Sequence, residues 1–422
     1  LTRRVATALA VTAVVVGAAV ALAVSLKGDP EVPALRSGAL SAEAFVDSIG
    51  VVTHLSYTDT PYEHVPEVVA KLQELGVHHI REAAPPLTGP LADGLRAAHA
   101  AGIKGTLGSG DLGSDPARWV ADSLAVMGDG VAALEAPNEL DNSGDPAWAE
   151  KLRSYMPALA AAARKQAPGA DVIGPSFIDS ANRGQLPADL PGLFNAHPYS
   201  GGELPEPTLR LALDEHRATA PQRGMVFTET GYHNALAATI GQPPASEQAA
   251  AVYLPRLLAT AFGAGVRRTF IYELLDEQPD PGLGEPEWHF GLLRNDFSPK
   301  PAFTAIKTLI AAVRASPGRR SAGPLAWSLQ VDGDEPVERV TLERADGSLA
   351  IAVWRPVSVW DRDARKPVDP GRLGVELTFP GLGARDVSVW RPSVSPEPVM
   401  RRQRAQRIPL ELQGDLVLVS LR

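Results

Sequence analysis

From Ile49 onward the sequence alternates short apolar runs with stretches whose apolar residues recur at helical spacing, a rhythm kept for about 270 residues. Strands joined through intervening helices must cross over to lie parallel, so this alternation predicts a parallel sheet covered by helices. The strand candidates are residues 49–55, 77–81, 103–107, 131–136, 172–174, 193–197, 225–228 and 268–272. Between them, Val65, Val68, Val69, Leu72 and Leu75 share one helical face, and further helices are expected near 91–101, 116–127 and 146–166. Another opens at the N-cap candidate Ser246 and a last one follows Pro301, whereas the helix between the fifth and sixth strands is short. Gly76, Gly102, Gly169 and Gly265 each stand where a helix must stop and feed a strand. Eight strands and roughly eight helices fit a closed (β/α)8 barrel, an α/β fold, better than an open doubly wound sheet.

Beyond Ala322 the helical period gives way to alternating runs such as 350–354, 375–379 and 416–419, separated by Gly, Pro and Asp. They predict a small all-β sandwich over residues 322–422, following a barrel domain at 47–315 across the hinge Ser316-Pro317-Gly318-Arg319-Arg320. Residues 29–46 read as a linker and 1–28 as a targeting segment: Arg3 and Arg4 precede an uncharged run over residues 5–26 that closes on Lys27. As a helix that run would reach roughly 33 Å, enough for a single retained membrane anchor, while Ala21-Leu22-Ala23 offers a cleavage site for a signal peptide. Either way the positive charges stay inside and the rest of the chain is expected outside the cytoplasm, secreted or anchored. The formal net charge of −9, without a basic stripe, argues against a nucleic-acid partner. With no cysteine there is no disulfide, thiolate metal site or cysteine nucleophile. Gly108-Ser109-Gly110 is too short to cradle a phosphate, and no cofactor or metal is expected. Oligomeric state leaves no mark in the sequence.

Barrels of this kind carry their chemistry at the C-terminal ends of the strands, and those positions are rich in polar residues here. They include His54, Arg81 with Glu82, Asn138 with Glu139, His197 with Tyr199, Glu229, and Tyr272 with Glu273. Glycosidic cleavage needs two carboxyl groups flanking the bond, one to protonate the leaving oxygen and one to meet the developing oxocarbenium ion. Glu139 and Glu229, after the fourth and seventh strands, face each other across a small barrel and can converge on one sugar ring. A gap near 5 Å would make such an enzyme retaining, and one of roughly 6.5–9.5 Å inverting.

At these residues the chain resembles the clan A glycoside hydrolases, with a barrel and C-terminal sandwich similar to family 39, or a barrel like that of family 5. The resemblance covers about residues 47–315 and rests on Ala136-Pro137-Asn138-Glu139 and Phe227-Thr228-Glu229-Thr230-Gly231, which look like the clan's acid/base and nucleophile motifs. His197-Pro198-Tyr199 and the stretch from His289 to Phe303 add to it. It implies a retaining hydrolase of O-glycosidic bonds in a poly- or oligosaccharide, with Glu139 as acid/base and Glu229 as nucleophile. It also implies that Asn138 binds the sugar 2-hydroxyl, that Arg81 keeps Glu229 ionised, and that Tyr199 lies near the nucleophile. One departure stands out: Tyr272, itself a candidate substrate contact, occupies the eighth-strand position where many clan members have a tryptophan, so sugar stacking is expected from Trp288.

Each signal has a plainer reading. Arg81 could pair with Glu82 or another barrel carboxylate, His197 and Tyr199 could be packed structural residues, and His54 is as readily a core histidine as a substrate contact. His78 and His79 point to opposite faces of a strand and cannot grip one metal. Asp276, Glu277, Asp280 and Glu285 read as a solvated loop, since their spacing fits no calcium motif. Against the hydrolase reading stand a non-catalytic carbohydrate-binding protein on a degenerate barrel and, as a second enzymatic rival, a transglycosylase using the same residues.

Overall fold

A computed structural model describes residues 35–36, 38–110, 112–315, 326–379 and 385–421; the targeting segment and the hinge at 316–320 lie outside them. The described chain opens with β1 (Ala39–Ser41) and α1 (Ala42–Asp47), the latter capped by the Ser41 side chain. The barrel strands follow as β2 (Ile49–Val52), β3 (His79–Ala83), β4 (Lys104–Gly108), β5 (Val131–Glu135), β6 (Asp171–Ile173), β7 (Phe194–Ala196), β8 (Met225–Thr230) and β9 (Thr269–Ile271). They hydrogen-bond in the order β6-β5-β4-β3-β2-β9-β8-β7, every pair parallel. A parallel bridge between Ile173 and Leu193 joins the two ends, with Leu193 N–H donating to Val172 O at 2.8 Å, so the sheet closes into a barrel.

Helices α2 (Val65–Leu75), α3 (Pro90–Ala100), α4 (Pro116–Met127), α5 (Trp148–Gln166), α6 (Pro205–Thr219), α7 (Glu247–Ala264) and α8 (Pro301–Arg314) surround it. Between β6 and β7 there is only the 3-10 turn Ser180–Gln185, so the helix expected to be short is not an α-helix at all. Gly76 and Gly265 terminate α2 and α7 in the left-handed region at φ 87° and 98°, where a Cβ would be strained. Gly169 plays no such part, since α5 already ends at Gln166 with Ala167 as its cap.

The remaining strands are β10 (Ser328–Val331), β11 (Glu338–Glu343), β12 (Leu349–Trp354), β13 (Trp360–Asp361), β14 (Lys366–Pro367), β15 (Leu373–Thr378), β16 (Arg385–Trp390), β17 (Met400–Ala405), β18 (Arg407–Leu412) and β19 (Val417–Leu421). One sheet runs β1-β11-β12-β19-β16-β17 and faces a second, β10-β15-β18. The two-residue period of β12 divides its side chains: Leu349, Ile351 and Val353 enter the inter-sheet core, while Ala350, Ala352 and Trp354 join the barrel's core. The larger sheet is therefore covered on both faces, and α7, wedged between sheet and barrel, is buried nearly all round.

The segment expected as a linker at 29–46 is corrected here. Ala39, Leu40 and Ser41 pair in parallel with Thr341, Leu342 and Glu343, making β1 an edge strand of the sandwich. Buried polar contacts also tie the two parts together. Arg256 on α7 pairs with Glu206 at 2.7 Å with both side chains fully buried, and it donates to Val357 O and Gly414 O of the sandwich. Trp354 Nε1 reaches the same Glu206 at 3.0 Å.

Candidate active site

The strand ends bring together six residues singled out in the sequence. Arg81, the third residue of β3, points into the barrel mouth; its Nη1 lies 2.5 Å from Glu229 Oε1. Its other nitrogens bond Glu135, Nε to Oε2 at 2.7 Å and Nη2 to Oε1 at 3.0 Å, and Nη2 also donates to Asn138 Oδ1 at 2.8 Å. Arg81 thus serves two carboxylates at once in a fork geometry. Glu82 is not its partner: that carboxylate accepts from Thr53 Oγ1, Leu55 N–H and Ala83 N–H instead.

Glu229, on β8, also accepts from Tyr199 OH at 2.8 Å. Burial alone would raise its pKa, but His197, Arg81 and Tyr199 outweigh it and bring the carboxyl down to about 2. Burial, and then the same carboxylate, push the Tyr199 phenol well above its ordinary value, so the tyrosine stays a donor. Glu139 follows β5 in a left-handed backbone conformation, φ 44° and ψ 46°, uncommon for a side chain of this size and costing on the order of 1 kcal/mol. Its N–H rests on Ser176 Oγ at 3.3 Å.

His197 stands between the two glutamates: Nδ1 is 2.7 Å from Glu139 Oε1 and 3.6 Å from Glu229 Oε2, and Nε2 is 2.8 Å from Thr228 Oγ1. The Thr228 hydroxyl otherwise faces only acceptors, Glu135 Oε1 and Asn195 Oδ1, each at 2.9 Å. Its proton therefore goes to one of them, it accepts from His197, and Nε2 carries a hydrogen. Nδ1 and Glu139 are left to share the next proton. Burial pulls the pKa of His197 down, yet the Glu229 and Glu139 carboxylates prevail and raise it.

One oxygen of Glu139 and one of Glu229 lie within 4.8 Å of each other. Both belong, with His197, to a trio of ligand atoms spaced closely enough for a metal, but the Arg81 guanidinium on Glu229 opposes a cation there.

The other expected residues frame the mouth. His54 follows β2, with its ring stacked on Tyr57 at 4.6 Å and edge-on to Tyr272 at 5.6 Å; burial holds its pKa down at about 4. Tyr272 follows β9, packs against Tyr199 and Phe290, and approaches Glu287 Oε2 at 3.5 Å. Trp288 lies half-buried in the 3-10 turn Pro286–His289, and no ring contact joins it to these residues among those described. In the acidic loop Asp280 accepts backbone N–H groups from Gly282, Gly284 and Glu285, and Asp276 is tied to the buried Lys300 at 2.7 Å.

Sequence reasoning missed Glu135, Thr228, Asn195, Ser176 and Glu287. A signal for Glu135 existed: it is a carboxylate closing an otherwise apolar strand, and the structure finds it fully buried and facing Arg81. Glu287 came from the 3-10 turn; burial and the nearby Glu229 raise its carboxyl to about 7.

Comparison with family models and with curated sequences gives no match. Solved structures do match. A family 39 glycoside hydrolase from Bacteroides cellulosilyticus WH2 aligns at TM-score 0.60 and 16% identity over 91% of this chain and 82% of its own. The GH39 enzyme of Xanthomonas axonopodis pv. citri aligns at 0.57 and 17%, over 94% and 98%, and a monomeric beta-xylosidase from Caulobacter crescentus CB15 at 0.58 and 16%, over 92% and 98%. The chain therefore has the barrel-and-sandwich fold of these family 39 structures. Its architecture is similar to family 39 along nearly its whole described length.

Proposed function

We propose that this protein is a retaining glycoside hydrolase in which Glu229 is the nucleophile and Glu139 the acid/base. The observation that carries the reading is the pair itself: two glutamates at opposed strand ends, with oxygens within 4.8 Å of each other, one held ionised by Arg81. That spacing agrees with the roughly 5 Å gap of retaining enzymes and falls short of the roughly 6.5–9.5 Å gap of inverting ones. The family 39 fold of its structural neighbours points the same way.

In this reading a Glu229 oxygen attacks the anomeric carbon as the C–O bond to the leaving group breaks, and Glu139 gives its proton to the departing oxygen. The Glu139 carboxylate then takes a proton from water, the hydroxide oxygen bonds the anomeric carbon, and Glu229 leaves. His197 supports Glu139 in both steps, because Nδ1 can accept or return the shared proton without atoms moving apart. Tyr199 and Arg81 hold Glu229 in line, and Asn138, fixed by Arg81 and Ser176, is placed to bind the 2-hydroxyl. Export from the cytoplasm belongs to the same proposal and rests on Arg3, Arg4 and the apolar run that follows.

The test is hydrolysis of a panel of aryl glycosides, beginning with xyloside and glucoside because neighbours bear those names. Cleavage by the wild type, its loss in Glu229→Ala, and its restoration by azide as a glycosyl azide of inverted configuration are expected. Sugar binding without turnover of any glycoside would replace the proposal with a carbohydrate-binding protein, and preferential transfer to added sugar acceptors would make it a transglycosylase.

A further inference from the structure

A second group of ionisable side chains lies at the barrel mouth and takes no part in holding Glu139 or Glu229. His54 follows β2, Glu273 follows β9, and Glu277 stands further along the same loop; one ligand atom from each lies within 4.8 Å of the others. His54 Nε2 is 3.5 Å from Glu273 Oε2, too long and poorly aligned for a hydrogen bond. Nε2 and Glu273 Oε1 are both buried without a hydrogen-bond partner, and the Glu273 side chain is wholly excluded from solvent. A buried polar atom left unpaired costs roughly 1–3 kcal/mol, so two such groups side by side ask for a shared partner.

We propose that His54, Glu273 and Glu277 bind a divalent transition-metal ion with the preference of zinc. This departs from the expectation, drawn from the sequence, of a protein without metal. The donor set decides the class of ion: an imidazole nitrogen with two carboxylate oxygens suits zinc and its neighbours, whereas calcium and magnesium take oxygen alone. Ligands about 2.0–2.2 Å from a tetrahedral ion stand roughly 3.3–3.6 Å apart, and the His54–Glu273 separation of 3.5 Å already falls in that range. The surrounding residues fix the ligands in place. Tyr62 OH donates to Glu273 Oε2 at 2.8 Å and accepts from Leu275 N–H at 3.1 Å, while the His54 ring is clamped by Tyr57 and Tyr62.

Charge balance agrees. No lysine or arginine forms a salt bridge with Glu273, Glu277 or the adjacent Glu287 among the described residues, in contrast to Glu229 with its Arg81 and Asp276 with its Lys300. Three protein ligands leave a fourth position open, as in sites where zinc also takes water or substrate. His54 touches Tyr272, which touches Tyr199, the hydrogen-bond donor to Glu229, so a sugar in the pocket could fill that position with a hydroxyl. The metal site rests on its own geometry and stands whether or not Glu139 and Glu229 cleave glycosides.

The experiment uses the full chain, stripped by chelator and titrated with zinc chloride by calorimetry, with metal content after dialysis measured by mass spectrometry. Cobalt(II) serves as a second probe through its visible ligand-field bands. One ion per chain is expected for the wild type. Affinity should fall on the order of a hundredfold or more in Glu277→Gln and in His54→Asn, and stay unchanged in Glu139→Gln. Glu277 is only partly buried, so its variant should keep the thermal transition of the stripped wild type, which separates loss of a ligand from loss of the fold. Absence of stoichiometric binding by the wild type overturns the proposal. So does binding that survives both substitutions, or binding lost with Glu139, which would move the ion to the Glu139–His197–Glu229 trio.

Discussion

Replacing Glu229 by glutamine should make the stability difference from wild type depend on pH, and the structure sets the size of the effect. The carboxyl sits at about 2 against an ordinary 4.5, a displacement corresponding to about 3 kcal/mol in favour of the ionised folded state. A depressed carboxyl contributes stability that is complete well above its unfolded pKa and is lost as the pH falls through the folded one. By roughly pH 3 about 2 kcal/mol of it should be gone. Urea unfolding of wild type and Glu229→Gln, followed by tryptophan fluorescence at neutral pH and near pH 3, measures the gap at each pH. Taking the difference between the two proteins cancels the titrating groups remote from Glu229, leaving Glu229 and the neighbour it perturbs, His197. The wild type should lose about 2 kcal/mol of its advantage on acidification. In an Arg81→Met background, Glu229 and Glu135 face each other without the guanidinium between them, so the pH dependence should shrink or change sign. A gap that stays constant with pH while Arg81 is present would refute the claim that Arg81 and His197 hold Glu229 ionised.

Three further outcomes are expected. Arg256→Met strands the buried Glu206 with only Trp354 as partner and should cost about 3–5 kcal/mol in urea unfolding, whereas the paired change Arg256→Met with Glu206→Leu should recover most of it. Gly231→Ala, two residues beyond Glu229, would drive a Cβ into the Tyr272 carbonyl, so thermal unfolding should show a loss of about 1–3 kcal/mol and kcat should fall with it. Glu135→Gln keeps the shape but removes the charge that anchors Arg81; kcat on an aryl glycoside should drop roughly tenfold or more, with KM changed less.

What the sequence revealed followed the physics of each signal. Strand runs between amphipathic helices are long-range repeats, so the barrel could be read from periodicity, and polar residues at strand ends stand out against apolar strands. Arg81, Glu139, His197, Tyr199 and Glu229 all belong to that class, and the structure brings them within hydrogen-bonding reach of one another. Glu135, the last residue of β5, was hidden because the apolar run continues in sequence to Ala136, and alternation alone does not separate an inward carboxylate from an outward one. Thr228 and Asn195 were hidden because small polar residues in strands are ordinary until a buried charge is placed beside them. The Glu273 cluster depends on two loops meeting, one after β2 and one after β9, which no local pattern encodes. The three residues of β1 carry no periodicity of their own and became a strand only by finding β11.

That pairing puts the barrel inside the sandwich as far as the order of synthesis is concerned. Ala39–Ser41 leave the ribosome before any barrel strand, but Thr341–Glu343, their partners, emerge about three hundred residues later, at several to twenty residues per second. The first described strand therefore waits, unpaired, while the whole barrel is made. A chain cut at residue 315 would keep every barrel strand, yet it would lose both the partner of β1 and the sheet that covers α7. The barrel and the sandwich are thus laid out as a nested loop, and the segment ahead of the barrel is part of the clasp that closes it.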